Sequence, residues 1–253
     1  SGRAANSGLI VSAIDRYIEN VEFLIKKLKS DSSSLELAAQ LIAKSINSGG
    51  LVHVFGTGHS HMLAEEMFYR AGGLGAVNPI LEEGLMLHIS ASKSTELERR
   101  AELAEEILRK QSLSANDVFI IISNSGGNSL IEAMARRVQK MKIPIIAITS
   151  INHATSPEAR TNGTKLHELA DIVLDNLGAV GDASVRFSGS DIATGPTSSV
   201  IGATMLNAIS SRVVEISLEQ GVEPEVFSSS NTQIGDKKNQ ELVTRLQERI
   251  KIL

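Results

Sequence analysis

Two stretches of small polar residues each follow an apolar run, and both have the composition of an anion-binding loop. The first reads FGTGHSHMLAEEM (residues 55–67) and the second reads FIIISNSGGNSLIEA (residues 119–133). Glycines let the backbone approach a ligand, and the free N–H groups at a following helix start favour an anion. Because neither loop contains Lys or Arg, we expect neutral N–H and hydroxyl donors to hold the anion.

Each loop also has an ordinary structural interpretation, because Ser and Asn are common helix N-caps and Gly is a common turn residue. Two such loops in one predicted sheet favour binding over capping alone. The dinucleotide fingerprint GxGxxG fails at its third glycine, where His61 stands, and no GxxxxGK[ST] motif occurs. The pattern therefore disfavours dinucleotides and nucleoside triphosphates as ligands.

A third stretch, LEEGLMLHIS (residues 81–90), contains Glu82, Glu83 and His88 and is a candidate for acid–base chemistry. General acid–base catalysis needs one group that removes a proton and another that can shuttle one. A carboxylate with a raised pKa can be the base, and His can shuttle the proton. The alternative is that these residues are solvated charges on a loop and a helix surface.

The other histidines and acidic residues carry weaker predictions. His59 flanks the first loop, and His153 follows a predicted strand; each either contacts the ligand or faces water. Glu65 and Glu66 fit a solvated helix face, and His53 fits a core position inside a strand. The sequence has no Cys and no HExxH motif, so we expect neither a metal nor a cofactor.

The elements that would position these residues alternate between strand-like and helix-like patterns. Near-continuous apolar runs are typical of strands covered on both faces, and amphipathic helical patterns at 95–110 and 129–141 lie between them. Such alternation predicts an α/β fold in which a doubly wound parallel sheet is flanked by helices. The five predicted strands are residues 51–55, 76–81, 118–122, 143–148 and 171–174.

Helical segments extend this core at both ends. An amphipathic N-terminal helix precedes a second helix at 35–48, and a charged helix is predicted at about 237–252. The segment 198–219 is apolar or small almost all round, which is typical of a helix buried between subunits, so we expect a homodimer or a higher homo-oligomer. The segment 176–197, rich in Gly, Ser and Asp, is predicted to be a loop or a short hairpin.

Composition excludes several kinds of partner. The chain of 253 residues has a net charge of −4 and an isoelectric point of about 5.9, which offers no basic face for nucleic acid. It has two Tyr, six Phe and no Trp, so few rings are present for base stacking. No apolar run approaches the ~20 residues of a membrane span. Together with the lack of Cys and of a signal-peptide pattern, this predicts a cytoplasmic protein with no membrane partner.

The motifs GTGHS, SNSG followed by Asn128, IPIIAITS and LADIVLDN resemble the sugar isomerase (SIS) domain family over residues 35–220. This resemblance implies a five-stranded parallel sheet, phosphosugar binding and dimerisation. It leaves residues 1–34, a tag-like start (SGRAANSG) and an amphipathic helix, and a C-terminal tail at 221–253. It also implies that two sets of residues bind the phosphate and the sugar: Thr57, Gly58 and Ser60 from the first loop, and Ser123, Asn124, Ser125, Gly126 and Asn128 from the second, Asn128 standing where the family usually has Thr or Ser. His59, where the family often has Lys or a polar residue, is a further candidate for binding.

The resemblance leaves the reaction open between three hypotheses. The chain resembles phosphoheptose isomerase-like SIS proteins, in which Glu83 would correspond to the base and His88 to the ring-opening group of an aldose–ketose isomerase. The stretch GPTSSVIGATMLNAI (195–209) is similar to N-acetylmuramic acid 6-phosphate etherases, which implies a lyase acting on an amino sugar phosphate. The third hypothesis is a non-catalytic phosphosugar sensor, as in SIS-containing regulators.

Overall fold

The computed structural model describes residues 11–159, 163–231 and 233–253. The tag-like start, residues 1–8, lies outside these ranges. Within them, five parallel strands form one sheet in the order β2-β1-β3-β4-β5, which confirms the predicted doubly wound α/β fold. The strands are β1 (Val52–Gly56), β2 (Val77–Ile80), β3 (Val118–Ile122), β4 (Ile145–Thr149) and β5 (Ile172–Asp175).

Helices cover both faces of this sheet and extend it at both ends. A short antiparallel hairpin of β6 (Val185–Arg186) and β7 (Ala193–Thr194) lies in the segment for which the sequence predicted a loop or hairpin. The helices are α1 (Ala13–Ser30), α2 (Ser33–Asn47), α3 (His61–Met67), α4 (Leu87–Leu97), α5 (Leu103–Arg109), α6 (Ser129–Lys140), α7 (Ile151–Ala154), α8 (Leu166–Leu169), α9 (Ser198–Glu219) and α10 (Gln233–Leu246).

The central strand β3 shows why the apolar runs do not alternate with polar residues. All five of its residues are buried. Ile120 and Ile122 pack into a core with α2, α3 and α9 on one face of the sheet. Phe119 and Ile121 pack into a second core with α5, α6 and α8 on the other face. A strand covered on both sides needs apolar residues at every position. Because β3 is buried on both faces, the loop that follows it starts from a fixed position.

The prediction of one continuous helix over residues 95–110 is wrong. Helix α4 ends at Leu97, a turn follows, and α5 begins only at Leu103. In this turn the carbonyl of Glu98 accepts a hydrogen bond from the N–H of Leu130 in α6 at 3.1 Å, and Ala101, between the two helices, is exposed. The apolar period continues through the break, so the sequence pattern did not reveal it.

Helix α1 leaves most of its apolar side uncovered. Leu28 is its buried residue, whereas Ile14 and Phe23 are 71 % and 57 % exposed. Such a surface fits the predicted association with a second copy of the chain, which remains a prediction. Among the described residues, every helix is too short or too polar to cross a membrane.

Candidate functional site

A cavity of about 320 Å³ lies at the carboxyl end of the sheet, where the loops after β1 and β3 meet. This is the edge at which open parallel sheets bind their ligands. The structure brings eight of the nine predicted binding residues to its wall. The ninth, Gly126, is buried in the same loop. The nine residues therefore share one location, and their binding role remains a prediction. Residues from other parts of the chain complete the wall: Glu98, His153, Asn176, Asp182, Ser198 and Ser199.

The loop after β3 is held in one shape by bonds on its far side. The buried N–H of Gly126 donates to Ser123 Oγ at 3.1 Å. The carbonyl of Asn124 accepts from the N–H of Ser150 at 3.0 Å and from Thr149 Oγ1 at 3.2 Å. Gly126 has a φ of +63°, and a Cβ there would lie 3.2 Å from Thr149 Oγ1, so the turn requires glycine. The loop is thus organised before any ligand arrives.

Donors remain free on the cavity side of this loop. Asn128 caps α6, its Oδ1 accepting from the N–H of Ile131 at 2.8 Å. Within the described residues, the hydroxyl and N–H of Ser125 and the N–H of Gly127 have no hydrogen-bond partner. These groups face the start of a helix of 12 residues, where partial positive charge accumulates. The arrangement suits an anion held by neutral donors.

The loop after β1 reaches the same cavity and is tied to the first. Asn128 Nδ2 donates to Thr57 Oγ1 at 3.3 Å, and Thr57 Oγ1 donates to Glu98 Oε2 at 3.1 Å. Gly56 packs so tightly that a Cβ there would lie 2.5 Å from Ser60 Cβ. His59 is exposed and lines the cavity. The two loops therefore form one wall through Thr57 and Asn128.

His61 is the first residue of α3 and is buried, whereas His59 lies in the turn before this helix and is exposed. His61 is 2 % exposed, its Nδ1 bonds to the Gly58 carbonyl at 3.2 Å, and its Nε2 has no partner among the described residues. Burial lowers the pKa of His61, and the bond to Gly58 opposes part of this effect.

The described residues contain no group of three His, Asp or Glu side chains that could hold a metal ion.

Glu98 is one of the cavity residues that the sequence did not single out. It is half-buried in the turn after α4 and accepts a hydrogen bond from Thr57. It stands among Glu96, Arg99 and other charged residues, so the composition of this stretch resembles that of an ordinary solvated helix face. Only the break after Leu97 and the contact with the loop after β1 distinguish it.

A second cavity of about 420 Å³ adjoins the first and shares Glu98, Ser125, Asn128 and His153 with it. Arg99 and Lys165 line this second cavity. The cationic side chains that the two loops lack are therefore supplied by the turn after α4 and the start of α8.

The segment 176–182 forms the remaining wall and bonds to each of its neighbours. Asn176 Nδ2 donates to Asn124 Oδ1 in the loop after β3 at 2.9 Å. The Gly178 carbonyl accepts from Ser150 Oγ at 2.8 Å. Asp182 caps α9, its Oδ1 accepting from the N–H groups of Thr197 and Ser198 at 3.0 and 3.1 Å. This segment, whose role the sequence did not reveal, joins the loop after β3 to the start of α9.

The structure places the predicted catalytic pair, Glu83 and His88, outside the cavity wall. Both side chains are exposed, and neither lines either cavity. The neighbouring Glu82 forms an ion pair with Lys110 at 3.0 Å. A catalytic role for Glu83 and His88 remains a prediction, and Glu98 is the carboxylate that meets the loops.

His53 has the structural role that the sequence predicted. It is fully buried, and its Nε2 lies 2.8 Å from Asp117 Oδ2. Its Nδ1 lies 2.8 Å from Asn78 Nδ2. These residues lie at the amino ends of β1, β2 and β3, on the opposite edge of the sheet from the cavity.

The fold and the two loops define the class of protein. The chain belongs to the SIS domain family, whose profile matches residues 16–150. It is 38 % identical over 242 residues to a UPF0309 protein of Geobacillus thermodenitrificans, covering 95 % of this chain and 97 % of that protein. A large share of the chain is therefore common to both proteins.

Two solved structures share the fold at low sequence identity. Phosphoheptose isomerase GmhA from Neisseria gonorrhoeae has a TM-score of 0.50 at 14 % identity, covering 81 % of this chain and 97 % of that one. The Vibrio vulnificus NanR protein complexed with ManNAc-6P has a TM-score of 0.50 at 16 % identity, covering 94 % of this chain and 70 % of that one.

Proposed function

We propose that this protein binds a phosphorylated sugar, with the phosphate at Ser123–Asn128 and the sugar extending toward Glu98 and His153. The observation that carries this proposal is the set of free donors on Ser125 and Gly127, which lie just before α6 and line the two adjoining cavities. The NanR structure contains ManNAc-6P, and its shared fold supports the same ligand class here. The proposed site needs no cation in the loops, because helix N–H groups and hydroxyls bind phosphate well.

The chemistry that fits this site best is isomerisation between an aldose and a ketose. The reaction moves one proton between adjacent carbons, and a single carboxylate can both remove and return it. Glu98 and Asp182 are the carboxylates on the cavity wall. Because the carboxylate of Asp182 already accepts three hydrogen bonds from Thr197 and Ser198, we assign Glu98 as the base. The hydrogen bond from Thr57 would hold one carboxylate oxygen and leave the other for the substrate.

A thermal-shift screen tests binding directly. The ligands are a panel of sugar phosphates, the matching free sugars and inorganic phosphate. A ligand at 100 times its Kd should add about 2.7 kcal/mol to the free energy of unfolding. Ser125→Ala should abolish this gain, whereas Ser32→Ala should not, because Ser32 is exposed and makes no side-chain cap. Equal stabilisation by phosphosugars and free sugars would contradict the proposed phosphate site.

Turnover separates the proposed isomerase from its alternatives. Glu98→Gln and Glu83→Gln are assayed in parallel on each sugar phosphate that binds. Loss of a catalytic base lowers the rate by about 10²–10⁴-fold, and we expect that loss for Glu98→Gln. The same loss for Glu83→Gln alone would return the base to Glu83. Release of lactate would identify a lyase, and tight binding with no turnover would identify a sensor.

A further inference from the structure

His153 lies where the two cavities join, and its orientation is set by the backbone. It lines both cavities and belongs to α7, which Ser150 caps by accepting the N–H of His153 on its Oγ at 3.1 Å. The N–H of Gly181 donates to His153 Nδ1 at 3.0 Å. A backbone N–H can only donate, so Nδ1 must be the acceptor.

This hydrogen bond defines the form of the imidazole. A ring nitrogen that accepts a hydrogen bond carries no proton, so the proton of the neutral ring lies on Nε2. A doubly protonated imidazolium would place two N–H groups against each other at Gly181 and break the bond. Within the described residues, Nε2 has no hydrogen-bond partner. His153 is therefore organised as a neutral donor with a free N–H at the site.

The segment that supplies the Gly181 N–H is itself fixed. Asp182 has a φ of +54°, a conformation that costs free energy for a residue other than Gly. Its carboxylate compensates by accepting from the N–H groups of Thr197 and Ser198 and from Ser198 Oγ. The Gly178 carbonyl is bonded to Ser150 Oγ. A strained residue held by three bonds next to a cavity is a feature of functional sites.

We propose that His153 acts as a neutral hydrogen-bond donor that stabilises the enediolate formed during isomerisation, with Glu98 as the base. This role rests on the proposed function. Glu98 removes the proton from C2 of the open-chain aldose; the electron pair of that C–H bond forms the C1–C2 double bond, and the π pair of the C1 carbonyl moves onto O1. Nε2–H donates to the charged oxygen and keeps its proton. Glu98 returns its proton to C1, and the hydroxyl proton passes from O2 to O1, which yields the ketose.

A neutral donor suits this step better than a charged one. It strengthens its hydrogen bond as charge develops on the oxygen, and it does so without surrendering a proton. A neutral imidazole that polarises the carbonyl of a sugar phosphate beside a glutamate base is an established chemical solution in an unrelated barrel enzyme. The positioning residue for this donor is Asp182, which acts through Gly181 and does not touch the reacting atoms.

The first test reads the imidazole directly and needs no ligand. The ring nitrogens of His153 are assigned in a ¹⁵N–¹H correlation spectrum by comparison with His153→Gln. We expect Nδ1 to be unprotonated and Nε2 to carry the proton. Asp182→Asn should weaken this preference by releasing the Gly181 turn, whereas Asp191→Asn, at an exposed position, should leave it unchanged. A protonated Nδ1 in the wild type would overturn the proposal.

The second test measures recognition of the enediolate. Aldonohydroxamate phosphates from tetrose to hexose mimic the enediolate. The matching alditol phosphates lack the hydroxamate group and therefore do not mimic it. The wild type should bind the hydroxamate more tightly than the alditol phosphate. His153→Leu should lose on the order of 10²-fold of that preference and keep its affinity for the alditol phosphate, while His153→Gln, which still donates, should lose less.

The outcomes distinguish the two proposals. Wild-type binding of alditol phosphates without a preference for hydroxamates would overturn the role of His153 and leave phosphosugar binding standing. A preference that survives in His153→Leu would overturn it as well. Failure of the wild type to bind any of these phosphates would overturn the proposed function, and the role of His153 with it.

Discussion

The buried carboxylate of Asp117 should make the stability of this protein depend on pH far below neutrality. Asp117 lies just before β3, and its side chain is fully buried. It accepts hydrogen bonds from the N–H of Leu51 at 2.9 Å, from Ser114 N–H at 2.8 Å and from Arg249 Nη2 at 2.7 Å. His53 Nε2 lies 2.8 Å away. These bonds join β1, β3 and the C-terminal region at the edge opposite the cavity.

The pKa of Asp117 gives the magnitude. Burial by itself raises this pKa, but the hydrogen bonds from His53, Arg249 and Leu51 outweigh burial and lower the pKa from 3.8 to about 2. At roughly 1.4 kcal/mol per pKa unit, the difference corresponds to about 2.5 kcal/mol of stability. The folded pKa is the lower one, so this stability is present above pH 3.8 and is lost as the pH falls through about 2.

Asp117→Asn removes the charge and leaves Arg249 without its buried partner. The Arg249 side chain is 29 % exposed, so water can still solvate its charge. A hydrogen bond to a charged group is worth about 1.5–3 kcal/mol, and the variant should be less stable than the wild type by about that amount at pH 7. The difference in stability between the variant and the wild type should narrow as the pH falls toward 2, because protonation makes the wild-type carboxyl neutral, as the amide of the variant already is. Urea unfolding followed by circular dichroism between pH 2 and pH 7 measures both quantities.

Asp191→Asn is the control, because Asp191 is exposed and its charge should contribute little. The reasoning would be refuted if Asp117→Asn were as stable as the wild type at pH 7. It would also be refuted if the stability gap stayed constant down to pH 2, since the protonation of Asp117 would then not contribute.

Two further substitutions test the loop and the surface of α1. Gly126→Ala should destabilise the protein by about 1–2 kcal/mol, because the φ of Gly126 is +63°. It should also abolish stabilisation by phosphosugars. The control is Gly189→Ala: Gly189 has a similar φ but open space around it, so this variant should keep that stabilisation. Ile18→Glu should convert a dimer into a monomer by light scattering, because Ile18 is 50 % exposed on α1; a wild type that is already monomeric at micromolar concentration would contradict the predicted association.

The strands and the two loops were predictable because their patterns are local. A strand buried on both faces must be apolar throughout, and β3 followed by SNSGGNS shows this in a single stretch. The helix over 198–219 was predicted at its observed ends, Ser198 and Glu219, since its apolar composition is continuous. Each of these features depends on residues that are neighbours in the sequence.

The remaining parts of the site depend on contacts between distant segments. Glu98 reaches the cavity because the chain turns after Leu97, and its bond to Thr57 spans 41 positions. The role of His153 depends on Gly181, which lies 28 positions away. The turn after Leu97 does not interrupt the apolar period, and the stretch around Gly181 was predicted only as a loop or hairpin, so composition and spacing could not indicate either contact. The prediction of Glu83 and His88 relied on their types and on resemblance, without knowledge of the cavity wall.

The central claim is that the loop after β3 holds a phosphate, and an amide ¹⁵N–¹H correlation titration tests it most directly. A sugar phosphate from the thermal-shift screen is added stepwise, followed in a second sample by the same sugar without phosphate. The account predicts that the largest shift changes fall on the N–H groups of Ser125 and Gly127 and on the first turn of α6, and that the free sugar leaves them nearly unchanged. Shift changes that fall elsewhere, or that are equal for the two sugars, would contradict it.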